Sequence, residues 1–137
     1  MAAQAAIRVL IADDQKPIRR KLAEALVPFD DLRLVGEASD GLDAVHLAAE
    51  LQPDVILMDL VMPGMDGIAA TQAIRGVFPQ IRVVVLASFG DKELIVKALE
   101  AGACSFLLKS APADELARVI REAGQGGLDV GQMADNP

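Results

Sequence analysis

The sequence predicts an open α/β sheet, with five parallel strands and helices on both faces. Five short runs of Val, Ile and Leu alternate with longer segments of helical periodicity. The runs are continuous and rich in Val, Ile and Leu, as expected of strands covered on both faces. The intervening segments are long enough for the crossovers that parallel neighbours require.

The first strand is predicted over 7–12 and the first helix over 16–27, with Pro17 in the first turn, where a missing N–H costs nothing. A second strand (32–37) leads through Asp40-Gly41 into a helix over 41–51. The third strand (54–58) is followed by a loop dense in Pro and Gly and a helix over 66–76, with Asp66 read as a turn and cap residue. The fourth strand (81–86) precedes a helix over 91–101, which Asp91 can cap and which Gly102 follows. The fifth strand (104–108) precedes a helix over 112–124 opening at Ala111-Pro112. Asp114 and Glu115 lie in its first turn, with Arg118 and Arg121 nearer its end. Right-handed crossovers among five such strands favour the flavodoxin-like (βα)5 order 2-1-3-4-5.

With 137 residues the chain is read as one domain over 1–124, followed by a Gly-rich flexible tail or truncated linker over 125–137. Aromatic residues make up 3% of the chain, so the core must be aliphatic. A net charge of −7 argues against nucleic-acid binding by this segment, because phosphate contacts need clustered Lys and Arg. Its apolar runs are far shorter than the roughly 20 residues of a membrane span. The first residues lack the basic start and long apolar stretch of a secretory signal. A single cysteine, Cys104, cannot form an internal disulfide, which makes the cytoplasm the expected compartment.

The chemistry is expected at the strand ends. Asp13 and Asp14 close the first strand, Asp59 the third and Lys109 the fifth. In the order 2-1-3-4-5, strands 1 and 3 are adjacent and form the switch point, where ligands of open α/β sheets bind. Carboxylates gathered there repel by several kcal/mol at an effective dielectric of about 20, so the cluster calls for a divalent cation. Hard oxygen donors suit Mg2+. Asp14 and Asp59 are candidate direct ligands, with Asp13 acting through water and the Val61 backbone carbonyl adding a further donor. Asp59 is the candidate nucleophile toward phosphorus. Lys109 would pair with a carboxylate at rest and with a phosphoryl oxygen after transfer. His46 and Cys104 read as surface or core residues, and Arg19, Arg20 and Lys21 as a solvated face or a contact for a kinase or a second copy of the chain.

Four motifs together resemble the receiver domain of bacterial two-component response regulators. They are Asp13-Asp14, the run from Asp59 through Val61, Met62 and Pro63 to Asp66-Gly67, Ala101-Gly102-Ala103, and Lys109 with Phe106 three residues before it. The similarity spans about 7–123. Ser88-Phe89 and Leu107-Leu108-Lys109-Ser110 are most similar to regulators of the NarL or LuxR type. The resemblance implies that Asp59 takes a phosphoryl group from the phosphohistidine of a sensor histidine kinase. It also implies that phosphorylation biases the region after the fourth strand, with an aromatic on the fifth, between two arrangements. A homodimer is an implied partner; DNA would be reached only through a C-terminal output domain absent from this chain.

Two residues depart from the family pattern. Ala87 stands where the family usually has Thr or Ser, so either Ser88 substitutes, the switch is weakened, or position 87 has been altered. Phe106 replaces the commoner Tyr and carries no hydroxyl. These departures leave an alternative, a degenerate receiver acting as a phosphorylation-independent dimerisation or binding module. A turnover enzyme of similar fold is disfavoured, because the chain lacks a Gly-rich phosphate loop and has Val61 where an aspartate-nucleophile phosphatase would have a second acid. The expectation is a switch and not an enzyme.

Overall fold

Residues 5–125 are described by the computed structural model, and the tail expected from 125 onward lies outside them except for Gln125. Ten elements alternate: β1 (Ile7–Ala12), α1 (Lys16–Leu26), β2 (Leu32–Ala38), α2 (Gly41–Leu51), β3 (Val55–Asp59), α3 (Gly67–Val77), β4 (Arg82–Ala87), α4 (Lys92–Glu100), β5 (Ser105–Leu108) and α5 (Ala113–Gly124). All strand pairings are parallel, and the order is β2-β1-β3-β4-β5, as the alternation of elements predicts.

Side chains alternate across the strands and feed two cores. Leu10, Ala12, Ile56, Met58, Val83, Val85 and Ala87 pack on the face covered by α2, α3 and α4. Val9, Ile11, Val55, Leu57, Val84 and Leu86 pack on the other face against α1 and α5. Burial on both faces is why β1, β3 and β4 carry unbroken apolar runs. On α5, Leu116, Ala117, Val119, Ile120 and Ala123 form the buried stripe, a helical spacing that seats one face of the helix on the sheet.

The register brings the strand ends level. Ala12 lies opposite Met58, Asp59 opposite Leu86, and Ala87 opposite Leu108. The residues that follow, Asp13 and Lys109, therefore share one rim with Asp59. In β2 the pairing jumps from Leu34 to Gly36 between Val9 and Leu10, so Val35 is an extra residue.

Most predicted helix starts are realised. Asp40 and Asp66 cap α2 and α3 by accepting from the N–H groups of Asp43 at 2.8 Å and Ala69 at 2.9 Å. Gly102 follows α4 with a φ of 118°, a conformation that favours glycine. Asp91 differs from its expected role. It sits at the N-cap of α4, but its carboxylate accepts the Ser88 N–H at 2.8 Å and makes no bond into the helix. Among the described residues, no helix is long and apolar enough to cross a membrane.

Candidate functional site

β1, β3 and β5 deliver four charged side chains to the C-terminal rim of the sheet. One carboxylate oxygen from each of Asp13, Asp14 and Asp59 lies within 4.8 Å of the others. Lys109 Nζ lies 3.0 Å from Asp59 Oδ1 and 3.4 Å from Asp13 Oδ2. Asp13 and Asp59 are buried, and Asp14 faces solvent. The Asp13 N–H extends the sheet by donating to the Ala38 carbonyl at 3.0 Å, and Oδ1 accepts the Gln15 N–H at 2.9 Å. Asp13 Oδ2 is buried, and its partner is the Lys109 ammonium.

Burial pushes the Asp59 carboxyl above its ordinary pKa. The Lys109 hydrogen bond opposes that rise, and the Asp13 charge adds to it. Burial alone would lower Lys109, but its hydrogen bond to Asp59 and the charges of Asp59 and Asp13 hold it above its ordinary value. Three carboxylates facing one ammonium leave negative charge in excess when all are ionised. With hard oxygen donors only and negative charge in excess, the group fits a divalent cation such as Mg2+.

The loop between β3 and α3 is held from both sides. The Gly67 N–H donates to the Leu60 carbonyl at 3.1 Å. A Cβ on Gly67 would lie 2.0 Å from the Asp59 carbonyl oxygen, and one on Gly41 would lie 2.0 Å from that of Met65. Two residues without side chains thus let α2 and α3 press directly on the loop that follows Asp59. Leu60 and Met62 anchor it in the core, while Val61 is 62% exposed.

The three residues read as a switch stand close by but are not gathered into the charged cluster. Ala87 ends β4 in the core, and its carbonyl accepts the Lys109 N–H at 2.9 Å, so it borders the rim without a polar side chain. Ser88 is exposed. Phe106 points outward from β5 and is 39% exposed, beside a surface groove bounded by Pro112, Glu115 and Arg118 of the α5 region. Phe89 is 97% exposed.

Arg19 is the rim residue that sequence reasoning missed. The sequence groups it with Arg20 and Lys21 as a solvated face or a contact for a kinase or a second copy of the chain. In the structure its Nη1 donates to the Asp13 carbonyl at 2.7 Å, and its Nε lies 3.3 Å from Glu37 Oε1. Helical phase held the available signal: Arg19 follows Ile18 and precedes the buried Leu22, on the side of α1 that faces the sheet.

Comparison with known proteins agrees with this geometry. Residues 9–121 match the response regulator receiver domain. The chain is 50% identical over 120 residues to the transcriptional regulatory protein LiaR of Bacillus subtilis, an alignment covering 88% of this chain and 57% of LiaR. It is 41% identical over 121 residues to the response regulator VraR of Staphylococcus epidermidis, covering 88% of this chain and 58% of VraR. The chain therefore spans less than two thirds of the length of these relatives. Among solved structures, the response regulator domain of Thermotoga maritima CheB superposes with a TM-score of 0.81 at 37% identity, covering 88% of this chain and 97% of that one. A LuxR-family two-component response regulator from Aurantimonas gives 0.84 at 30% identity, covering 90% and 89%. A parallel sheet in the order 2-1-3-4-5, acids and a lysine converging on its rim, and a family match over most of its length establish that this chain belongs to the response regulator receiver domains of two-component signalling.

Proposed function

We propose that Asp59 accepts a phosphoryl group from the phosphohistidine of a sensor histidine kinase, in a reaction that requires Mg2+. The convergence of Asp13, Asp14, Asp59 and Lys109 is the observation that carries this reading. Asp14 and Asp59 would hold the cation directly and Asp13 through water, with the Val61 carbonyl as a further donor. A bound divalent cation neutralises the oxygens of the incoming group and orients it. An Asp59 carboxylate oxygen forms the new P–O bond as the P–N bond to the kinase histidine breaks; the bonding pair stays on that nitrogen, and the proton already on the other ring nitrogen makes the leaving group a neutral imidazole. Lys109 exchanges part of its pairing with Asp59 for a phosphoryl oxygen. Positioning and charge stabilisation supply most of the catalysis, and the product is a modified switch and not a released compound.

The added charge then biases the segment from Ala87 to Asp91 and the exposed Phe106, altering which surface a partner meets. That partner is a second copy of the chain or an output domain. The name of LiaR as a transcriptional regulatory protein supports an output in transcription. The exchange takes place in the cytoplasm, a location that kinship with these regulators supports. The phosphorylation-independent binding module is the weaker alternative, because the whole acid set and its lysine are retained at one rim.

The test is incorporation of acid-labile phosphate from a small phosphodonor. The wild type and Asp66→Asn should incorporate it with Mg2+ and not with EDTA, and Asp59→Asn should not incorporate it. Equal incorporation into wild type and Asp59→Asn would overturn the assignment.

A further inference from the structure

The polar groups of Asp13 are almost fully committed. Its N–H donates to Ala38, its Oδ1 accepts from Gln15, and its carbonyl accepts from Arg19. Oδ2 is left to the ion pair with Lys109 at 3.4 Å, beside the other acids. Oδ2 therefore depends on the Lys109 ammonium alone, an ion pair whose length is set by where the backbone holds the residue. The connection from β1 to α1 has little else to hold it there. Gln15 makes no side-chain cap bond at the start of α1, and the first turn has no acidic residue. Arg19 reaches back across this connection with its side chain only 15% exposed, and Glu37 near the end of β2 fixes the guanidinium from the far side.

We infer that Arg19, anchored by Glu37, is a positioning residue that holds Asp13 and Asp14 in the geometry needed to bind a divalent cation. The inference rests on the reading of the rim as a Mg2+ site. Its consequence runs against simple electrostatics. A guanidinium beside a cation site repels the cation, so charge alone predicts tighter Mg2+ binding once Arg19 is removed. Positioning predicts weaker binding, because groups that orient ligands typically contribute about 10–100-fold to metal affinity. Lysine at position 19 keeps the charge but loses the planar fork that serves a carbonyl and a carboxylate together.

The experiment is a Mg2+ titration followed by NMR amide shifts for wild type, Arg19→Ala, Arg19→Lys, Glu37→Gln and Asp14→Ala. The melting temperature of each is measured in EDTA. Arg19→Ala and Arg19→Lys should each bind Mg2+ about tenfold more weakly, and Glu37→Gln should lose affinity in the same direction by less. Saturating Mg2+ should restore phosphorylation in all three. Should Arg19→Ala fail to fold, Arg19→Lys and Glu37→Gln carry the test. Tighter binding by Arg19→Ala, binding by Arg19→Lys within about twofold of wild type, or a lower melting temperature with unchanged affinity would overturn the inference. A wild type that ignores Mg2+, or an Asp14→Ala variant that binds like wild type, would instead sink the reading of the rim and the inference with it.

Discussion

Replacing Lys109 with methionine removes the one ammonium that faces Asp13 and Asp59 while keeping an unbranched side chain. At 3.0 and 3.4 Å, each attraction amounts to about 5 kcal/mol at an effective dielectric of about 20. Desolvation of the ammonium and repulsion between the two acids offset much of that sum. Removing one partner of a buried pair typically costs about 3–5 kcal/mol. Lys109 keeps 24% of its side chain exposed, which sets the expected loss near the lower figure, about 3 kcal/mol. For a domain of this size that is a fall of about 10 °C in melting temperature. Circular dichroism is the probe, because the chain has neither Trp nor Tyr. The measurement belongs at pH 7.5 in EDTA, where no cation replaces the lysine. The deficit should shrink as acid protonates the carboxylates. It should also close as pH rises through the elevated pKa of Lys109, where the wild type loses the same charge. Added Mg2+ should stabilise the variant more than the wild type, since the cation neutralises the same oxygens. A variant within about 1 kcal/mol of wild type in EDTA would refute the view that Lys109 offsets buried carboxylate repulsion.

Three further perturbations test the site from other directions. Asp59→Asn should be more stable than wild type at neutral pH without Mg2+. The folded protein raises the Asp59 pKa, so ionised Asp59 costs stability above that value, and the gap should close as pH falls through it; thermal melts across pH that show no gap would contradict this. Gly67→Ala should cost about 1–3 kcal/mol, because its Cβ would meet backbone at Asp59, whereas Gly76→Ala in α3 meets nothing and should gain about 0.5–1 kcal/mol; urea denaturation separates the two. Ala87→Thr should enlarge the phosphorylation-dependent change in dimerisation measured by sedimentation, and an unchanged response would show that Ser88 or the backbone already supplies the contact.

The sheet was legible because its strands are buried on both faces. Val9-Leu10-Ile11-Ala12 and Val55-Ile56-Leu57-Met58 show as unbroken apolar runs, and Asp40, Asp66 and Gly102 mark helix ends through local hydrogen bonds and φ. The meeting of Asp13, Asp14, Asp59 and Lys109 was legible for the same reason, since strand order and a level register put parallel strand ends at one rim. What escaped depends on where long side chains turn. Arg19 and Arg20 are adjacent and chemically alike, yet Arg19 reaches inward to Asp13 and Glu37 while Arg20 stays exposed. Asp91 occupies a cap position but serves the Ser88 N–H instead. The extra residue at Val35 leaves no trace in apolar pattern, because β2 is an edge strand and only partly buried. Arg121 forks onto Asp31 at 2.6 and 2.9 Å and lies 5.2 Å from the Phe29 ring, tying α5 to the turn before β2 across a span that sequence spacing does not reveal.

A crystal structure grown with Mg2+ and beryllium fluoride, a mimic of the phosphoryl group, tests the central claim most directly. The account predicts one cation within coordination distance of Asp13, Asp14 and Asp59, directly or through water, and a single beryllium fluoride adduct on Asp59 contacted by Lys109. A cation bound elsewhere, or an adduct on any other carboxylate, would contradict it.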